Sequence, residues 1–322
     1  MSILVTGGAG FIGSCIIRSL NDRDRGDIII ADDIASTDKW MNIRNKRYLS
    51  YIHKTELAGI LPGIKEVEAI IHMGACSSTT EKDFDYLWKN NFEYTKMLWN
   101  YCADAGIPFI YASSAATYGD GSRGFDDRQD IDLLEPLNPY GYSKQMFDSW
   151  VKHQADVFPS QHVGLKFFNV YGPNEYCKGS MASMVFHGYR QIRDTGRIRL
   201  FRSYREGIAD GEQKRDFVYV KDVCDVILWF LDHPELSGLF NVGTGSAQSF
   251  RALAEATFHA LDLVPEIEYI DMPVTLRDTY QYYTEAETEK LREAGYTGSF
   301  SDPAQGVADY VRNYLAKGYK VY

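Results

Sequence analysis

The chain has 322 residues, 45% of them hydrophobic and 24% charged, and a formal net charge of -10. This is the make-up of a globular protein with room for a sizeable core. The acidic balance disfavours nucleic acid or an anionic membrane as partner, while a local group of cations can still hold an anionic small molecule.

The first apolar run, Ile3–Val5, predicts a strand, and Ser14–Leu20 predicts a helix. Between them lies Thr6-Gly-Gly-Ala-Gly-Phe-Ile-Gly13. Gly7, Gly10 and Gly13 are spaced three apart, and Gly8, Gly10 and Gly13 fit Gly-x-Gly-x-x-Gly. A strand, a glycine turn and a helix start together predict a dinucleotide site, because backbone N–H groups can approach a pyrophosphate at the helix N-terminus. A tight turn without a ligand is the alternative. Asp27–Ala31 is the second expected strand, followed by Asp32 and Asp33. An acid there accepts from a ribose hydroxyl. A 2′-phosphate would need cations, and Lys39, Arg44 and Lys54 could supply them, so NAD and NADP both remain open.

Val67–His72 is a third buried strand and leads into Met73-Gly-Ala-Cys-Ser77, where small residues let a cofactor lie near the backbone. His72 reads as a packed histidine. Phe84–Ala105 reads as one amphipathic helix carrying Asn90 and Asn91 and closed by Gly106. Ile107–Ala112 is a fourth strand running into Ser113 and Ser114. In Pro139-Tyr-Gly-Tyr-Ser-Lys144, Pro139 can open a helix, which puts Tyr140 and Lys144 on one face. A lysine beside a phenol lowers its pKa and makes it a usable base, with Ser114 a donor to a developing oxyanion.

Val163–Phe168 is a further strand, followed by Asn169-Val-Tyr-Gly-Pro173. From about residue 170 the segments read as a smaller mixed lobe. A helix is expected from Lys178 to about Arg193, then a strand over 197–201, a polar loop over 202–213 and a helix over 223–231. A strand and turn over 238–245 and helices over 250–261 and 304–315 complete it. The fold class expected is α/β, a Rossmann-type doubly wound parallel sheet with a mixed α/β substrate lobe. Residues 1–169 would form the first domain, with returns near 216–245, and 170–322 mainly the second.

The five cysteines, Cys15, Cys76, Cys102, Cys177 and Cys224, are scattered and form no Cys-x-x-Cys pair. They predict a reduced, cytoplasmic protein with no metal site. No signal sequence or membrane span is apparent, so no membrane insertion is expected.

Thr6–Gly13, Ser113-Ser114 with Tyr118-Gly119, Tyr140-x-x-x-Lys144, Asn169–Pro173 and Arg215-Asp-Phe-Val-Tyr-Val220 resemble the extended short-chain dehydrogenase/reductase family from end to end. The resemblance implies a nicotinamide cofactor, a nucleotide-sugar substrate and a homo-oligomer. Gly74–Glu81, Tyr111–Gly119, Phe168–Pro173 and above all Lys178-Gly-Ser-Met-Ala-Ser183 narrow it to a branch of 6-epimerases that act on an ADP-heptose in lipopolysaccharide inner-core supply. Such an enzyme oxidises C6 transiently and returns the hydride to either face. It needs an acid/base group on each side, and the resemblance supplies Tyr140 and Lys178, assisted by Lys144 and Ser114.

By the same resemblance Gly7, Gly10, Phe11, Ile12, Gly13, Asp32, Asp33, Lys39 and Lys54 would line the cofactor, which the branch prefers as NADP. So would Gly74, Ala75, Cys76, Ser77, Asn91, Val170, Tyr140, Lys144 and Lys178. Ser114, Asn169, Ser180, His187, Phe201, Arg202, Ser203, Tyr204, Arg215 and Tyr280 would contact the substrate. Asp33 replaces a neutral residue, and the 202–213 loop is longer than the pattern, so NADP preference and base recognition stay open. Ala115 and Ala116 follow Ser114, where a dehydratase needs an acid and a base. A UDP-hexose 4-epimerase and a non-catalytic dinucleotide sensor are the competing readings.

Overall fold

The structure, a computed structural model, describes residues 1–154, 158–277 and 280–322. The glycine turn joins β1 (Ser2–Thr6) to α1 (Phe11–Asp22), and β2 (Ile28–Asp32) and β3 (Ser50–His53) follow. Next come β4 (Val67–His72), α2 (Tyr94–Ala105), β5 (Phe109–Ser114), α3 (Pro139–Lys152) and β6 (His162–Phe167). The remaining chain forms β7 (Asn169–Tyr171), α4 (Met184–Thr195), β8 (Ile198–Phe201), β9 (Lys214–Arg215), β10 (Phe217–Tyr219) and α5 (Val220–Asp232). It ends with β11 (Gly238–Val242), β12 (Gln248–Ser249), α6 (Phe250–His259), β13 (Ile267–Ile270) and α7 (Pro303–Asn313).

The main sheet has seven parallel strands in the order β11-β6-β5-β4-β1-β2-β3. It is the doubly wound α/β sheet the sequence predicts. Strand order reverses between β1 and β4, and that switch point opens a crevice at the strands' C-terminal ends. Alternation along β1 assigns its two faces. Ile3 and Val5 pack with Ile16 and Ile17 of α1 and Val223 of α5, whereas Leu4 packs with Leu98 and Trp99 of α2 and Phe147 of α3. Trp99 is fully buried, edge-on to Phe109 and Phe147 at 6.1 and 6.0 Å, so its truncation to alanine would cost about 3–5 kcal/mol.

Three two-stranded sheets, β7–β10, β9–β12 and β8–β13, carry the C-terminal part, with Ile192, Ile198, Leu200 and Phe258 in a small core. Strand β11 rejoins the main sheet beside β6. Two expectations are corrected. The helix from Phe84 to Ala105 is interrupted by a π-helical turn, Trp88–Glu93, which carries Asn91. No helix starts at Lys178: two 3-10 turns precede α4, whose cap is Ser183. Among the described residues no helix is long and apolar enough to cross a membrane, and the five cysteines are free.

Candidate active site

Backbone contact between two loops builds the floor of the crevice. Gly7 has φ +65°, and a Cβ there would stand 2.6 Å from the Gly74 nitrogen; one on Gly13 would stand 2.2 Å from the Gly7 oxygen. Both glycines are therefore dictated by close approach. Helix α1 starts at Gly10 with no side-chain cap, so its first-turn amides face the crevice with their partial positive charge. A cavity of about 480 Å³ opens against them. Of the residues predicted for the cofactor, Gly7, Gly10, Phe11, Ile12, Gly13, Asp32, Asp33, Lys39 and Lys54 line it. Gly74, Ala75, Cys76, Ser77 and Lys178 line it as well.

Asn91, Val170, Tyr140 and Lys144 do not line this cavity. Asn91 is buried behind it: its side chain accepts from the Cys76 N–H at 2.8 Å and donates to the Cys76 carbonyl at 3.0 Å. The π turn points Asn91 this way, fixing the loop that bears Cys76 and Ser77. Val170 lies in β7, paired with Val218 of β10. His72 is packed between the Thr6 hydroxyl at 2.5 Å and the Thr95 hydroxyl at 2.9 Å, and burial lowers its pKa to about 3.

Sequence reasoning missed several lining residues, among them Asn42, Tyr94 and Asn174. Tyr94 opens α2 directly after the π turn, a break in period that the sequence does not show. Its hydroxyl is buried without a hydrogen-bond partner among the described residues. A bound dinucleotide offers the acceptors such a group lacks. Together with the uncapped helix start, this fits the crevice to a dinucleotide.

The two acids at the end of β2 are both neutralised. Asp32 is buried; it accepts from the Ala9 and Asp33 N–H groups at 2.8 and 2.6 Å and from the Lys39 ammonium at 2.8 Å. Burial pushes Asp33 up, but Lys54, 3.5 Å away, and His53 outweigh it and hold the carboxyl below its usual range.

Helix α3 begins at Pro139, capped by the Asn138 side chain on the Gly141 N–H. It presents Tyr140 and Lys144 to the end of β5 as expected, but the electrostatics differ from the prediction. Burial raises the Tyr140 pKa, a hydrogen bond with Ser114 lowers it, and Cys76 raises it further. The Lys144 ammonium donates to the Ala112 carbonyl at 2.9 Å. Lys144 is itself buried, which lowers its pKa to about 8. Behind it Asp148 accepts from Ser113 and Tyr111 at 2.5 and 3.1 Å and pairs with the buried Lys166 at 3.5 Å.

Lys178 follows a turn rooted in Glu175, a fully buried carboxylate that accepts from the Ser183 N–H and hydroxyl, both at 2.6 Å. The Lys178 ammonium reaches the Ser77 hydroxyl at 3.3 Å and lies over the Phe11 ring at 5.8 Å. Burial lowers its pKa, opposed by Glu175. The Cys76–Ser77 loop links this turn to α3: Ser77 accepts from Lys178 at 3.3 Å, and Asn91, bonded to Cys76, also donates to Ser143 at 2.9 Å in the helix that carries Tyr140.

In the C-terminal part, Arg215 is buried and lies 5.3 Å from the Tyr280 ring and 5.8 Å from that of Phe250. Phe201 meets Tyr280 edge-on at 6.5 Å. Arg215 donates to the Lys214 carbonyl at 2.8 Å and to the Gln281 carbonyl, and no carboxylate among the described residues lies within ion-pair distance. Burial lowers its pKa, with Tyr280 opposing. Such a guanidinium keeps its charge for an incoming anion.

The 202–213 loop is tied to itself and to Asp271. Ser203 donates its N–H to Asp210 at 2.7 Å, Arg202 pairs with Asp210 at 3.6 Å, and the Tyr204 hydroxyl donates to Asp271 at 3.0 Å. Asn169 and Ser180 are exposed and His187 is half-buried beside Phe186. Asn169 pairs with Phe217, two residues beyond Arg215.

The fold and this arrangement are those of a nucleotide-sugar oxidoreductase or epimerase. Residues 3–243 match the model of the NAD dependent epimerase/dehydratase family, and the chain belongs to that family. Its cofactor is accordingly a nicotinamide dinucleotide. It is similar to ADP-L-glycero-D-manno-heptose-6-epimerase from Fusobacterium nucleatum, with 52% identity over 98% of each chain. The enzyme of the same name from Nitratidesulfovibrio vulgaris is 50% identical, over 97% of this chain and 98% of its own. The crystal structure of ADP-L-glycero-D-manno-heptose-6-epimerase from Helicobacter pylori superposes with a TM-score of 0.79 at 26% identity, covering 97% of this chain and 95% of that one.

Proposed function

We propose that this protein is an isomerase that interconverts ADP-D-glycero-D-manno-heptose and ADP-L-glycero-D-manno-heptose at C6. The observation that supports the reading is the loop at Cys76 and Ser77 beside the dinucleotide crevice, which accepts from Lys178 and is tied through Asn91 to Ser143 in the helix that carries Tyr140. The dinucleotide, when bound, accepts a hydride from C6 and gives it back.

Tyr140, hydrogen-bonded by Ser114, takes the hydroxyl proton as the ketone forms. Lys144, anchored on the Ala112 carbonyl at the end of β5, is assigned to the nicotinamide ribose. C6 lies outside the ring, so rotation about C5–C6 turns the other ketone face to the hydride. The oxygen then points away from Tyr140, and Lys178 protonates it. With its pKa lowered by burial, Lys178 can also act as base in the reverse direction. Arg215 holds the diphosphate, with Phe201 and Tyr280 beside the nucleotide; Asn169, Ser180 and His187 complete the sugar contacts.

NADP is the proposed cofactor. Lys39 and Lys54 offset both acids at the end of β2, which suits a 2′-phosphate at that wall. We assign the sugar product to lipopolysaccharide inner-core assembly, in the cytoplasm, by a homo-oligomer.

The test supplies purified protein with each ADP-heptose epimer and with a panel of UDP-hexoses, and follows C6 or C4 configuration by NMR. Interconversion of the heptoses alone is expected. Turnover of a UDP-hexose at C4 instead would reassign the enzyme, and dinucleotide binding with no sugar turned over would favour a sensor.

A further inference from the structure

Beyond the crevice, residues 319–322 make contacts that the chemistry above does not use. The Tyr322 N–H donates to the Asn174 side chain at 2.9 Å, and the Tyr322 carbonyl accepts from Lys46. Lys46 is buried and also donates to the Asn42 carbonyl at 2.6 Å. The Lys320 carbonyl accepts from the Tyr176 hydroxyl at 2.7 Å, and the Tyr319 ring meets Tyr176 edge-on at 5.6 Å.

The partners of this segment are themselves parts of the crevice. Asn174 and Asn42 are almost fully buried and both line the cavity. Asn174 donates to Ser14 in the first turn of α1 at 2.9 Å. Asn42 donates to the Ala9 carbonyl in the glycine turn at 3.1 Å and to the Asn174 carbonyl at 3.2 Å. Asn174 also opens the turn that ends at Lys178, and it has φ 75°, a left-handed conformation asparagine tolerates. One hydrogen-bonded chain therefore runs from the segment through Asn174 and Asn42 to the glycine turn, and a second through Tyr176 to the Lys178 turn.

We propose that Tyr319–Tyr322 is a strap that positions the glycine turn and the Lys178 turn relative to each other, so that dinucleotide retention depends on residues remote in sequence from the crevice. These are positioning residues: they act through Asn174 and Tyr176 and touch no reacting atom. The claim about dinucleotide retention stands on the family's cofactor. The claim about Lys178 rests on the function proposed above.

The experiment compares the full chain with two variants, deletion of residues 319–322 and Asn174→Gly. The second keeps the left-handed backbone and the aromatic packing of the segment while removing the side-chain bonds of Asn174 to Ser14, Cys15 and Tyr322. Bound dinucleotide per chain is measured after gel filtration, and dinucleotide Kd by titration, alongside far-UV circular dichroism. Both variants are expected to keep a native spectrum while Kd rises about tenfold, the effect of losing supporting hydrogen bonds. Activity at saturating dinucleotide is expected to remain depressed, a fall in kcat that added cofactor does not restore. Wild-type dinucleotide affinity in the deletion that keeps a native spectrum, or in Asn174→Gly, would overturn the strap. If the full chain retains dinucleotide but epimerises no heptose, the proposed function fails and the retention result still stands.

Discussion

Replacing Lys144 by methionine should make the protein more stable and inactive at once. The lysine is 5% exposed, and burial lowers its pKa from 10.5 to about 8. A base whose folded pKa lies below its unfolded value destabilises the fold while it is charged. The cost is complete below about pH 8 and is relieved as pH rises toward 10.5. At about 1.4 kcal/mol per pKa unit it amounts to roughly 3 kcal/mol at pH 7. Methionine has similar length and no charge, so the Lys144→Met protein, stripped of dinucleotide, should gain up to about 3 kcal/mol, or several degrees in Tm. Cofactor must be removed from both proteins, because ligand bound to the folded state alone would mask the difference. Urea unfolding from pH 7 to pH 10.5 is the assay, and the difference should close over the upper part of that range. Other groups titrate there too, Lys46 among them, but they are common to both proteins and cancel. Equal stability at pH 7, or a gain that does not change with pH, would refute the reasoning.

Three further outcomes follow from the site. Ser114→Ala removes the hydrogen bond that lowers the Tyr140 pKa, so the acidic limb of the pH profile of kcat/KM should move to higher pH; an unmoved limb would separate Ser114 from the base. Arg215→Lys loses the planar fork between Tyr280 and Phe250 and should raise KM for the nucleotide-sugar about 10–100-fold with a smaller change in kcat; steady-state kinetics would show it. Lys39→Ala should weaken NADP far more than NAD in a direct titration, and equal weakening would exclude a 2′-phosphate contact.

The dinucleotide half was legible because glycine is chemically singular: only close backbone approach explains Gly7 and Gly13, and they sit between an apolar run and a helix start. Strands β4, β5 and β6 were legible as buried apolar runs. Strand β3 was not, because an edge strand of Ser-Tyr-Ile-His is exposed on one side and its pattern is polar. Local periodicity gave the Tyr140–Lys144 face but not the direction of the lysine, which Ala112, thirty-two residues away, decides. The π turn at Trp88–Glu93 adds a residue that no periodicity shows, and it brings Asn91 to Cys76. The Lys178 turn was misread as helix because its organiser is Glu175, a buried carboxylate whose partners lie at Gly172 and Ser183. The seating of Tyr322 on Asn174 spans 148 residues and leaves no local mark.

The central claim is that two acid/base groups serve opposite faces of one C6 ketone. It is tested most directly by supplying Lys178→Met and Tyr140→Phe, each loaded with dinucleotide, with each heptose epimer separately and measuring both dinucleotide reduction and the epimer formed. Each variant should still reduce dinucleotide, to a lesser extent, with the epimer whose hydroxyl meets the remaining group. Neither should interconvert the two, with turnover down about 10²–10⁴-fold. Lys178→Met protein that epimerises at near the wild-type rate in both directions would contradict the account.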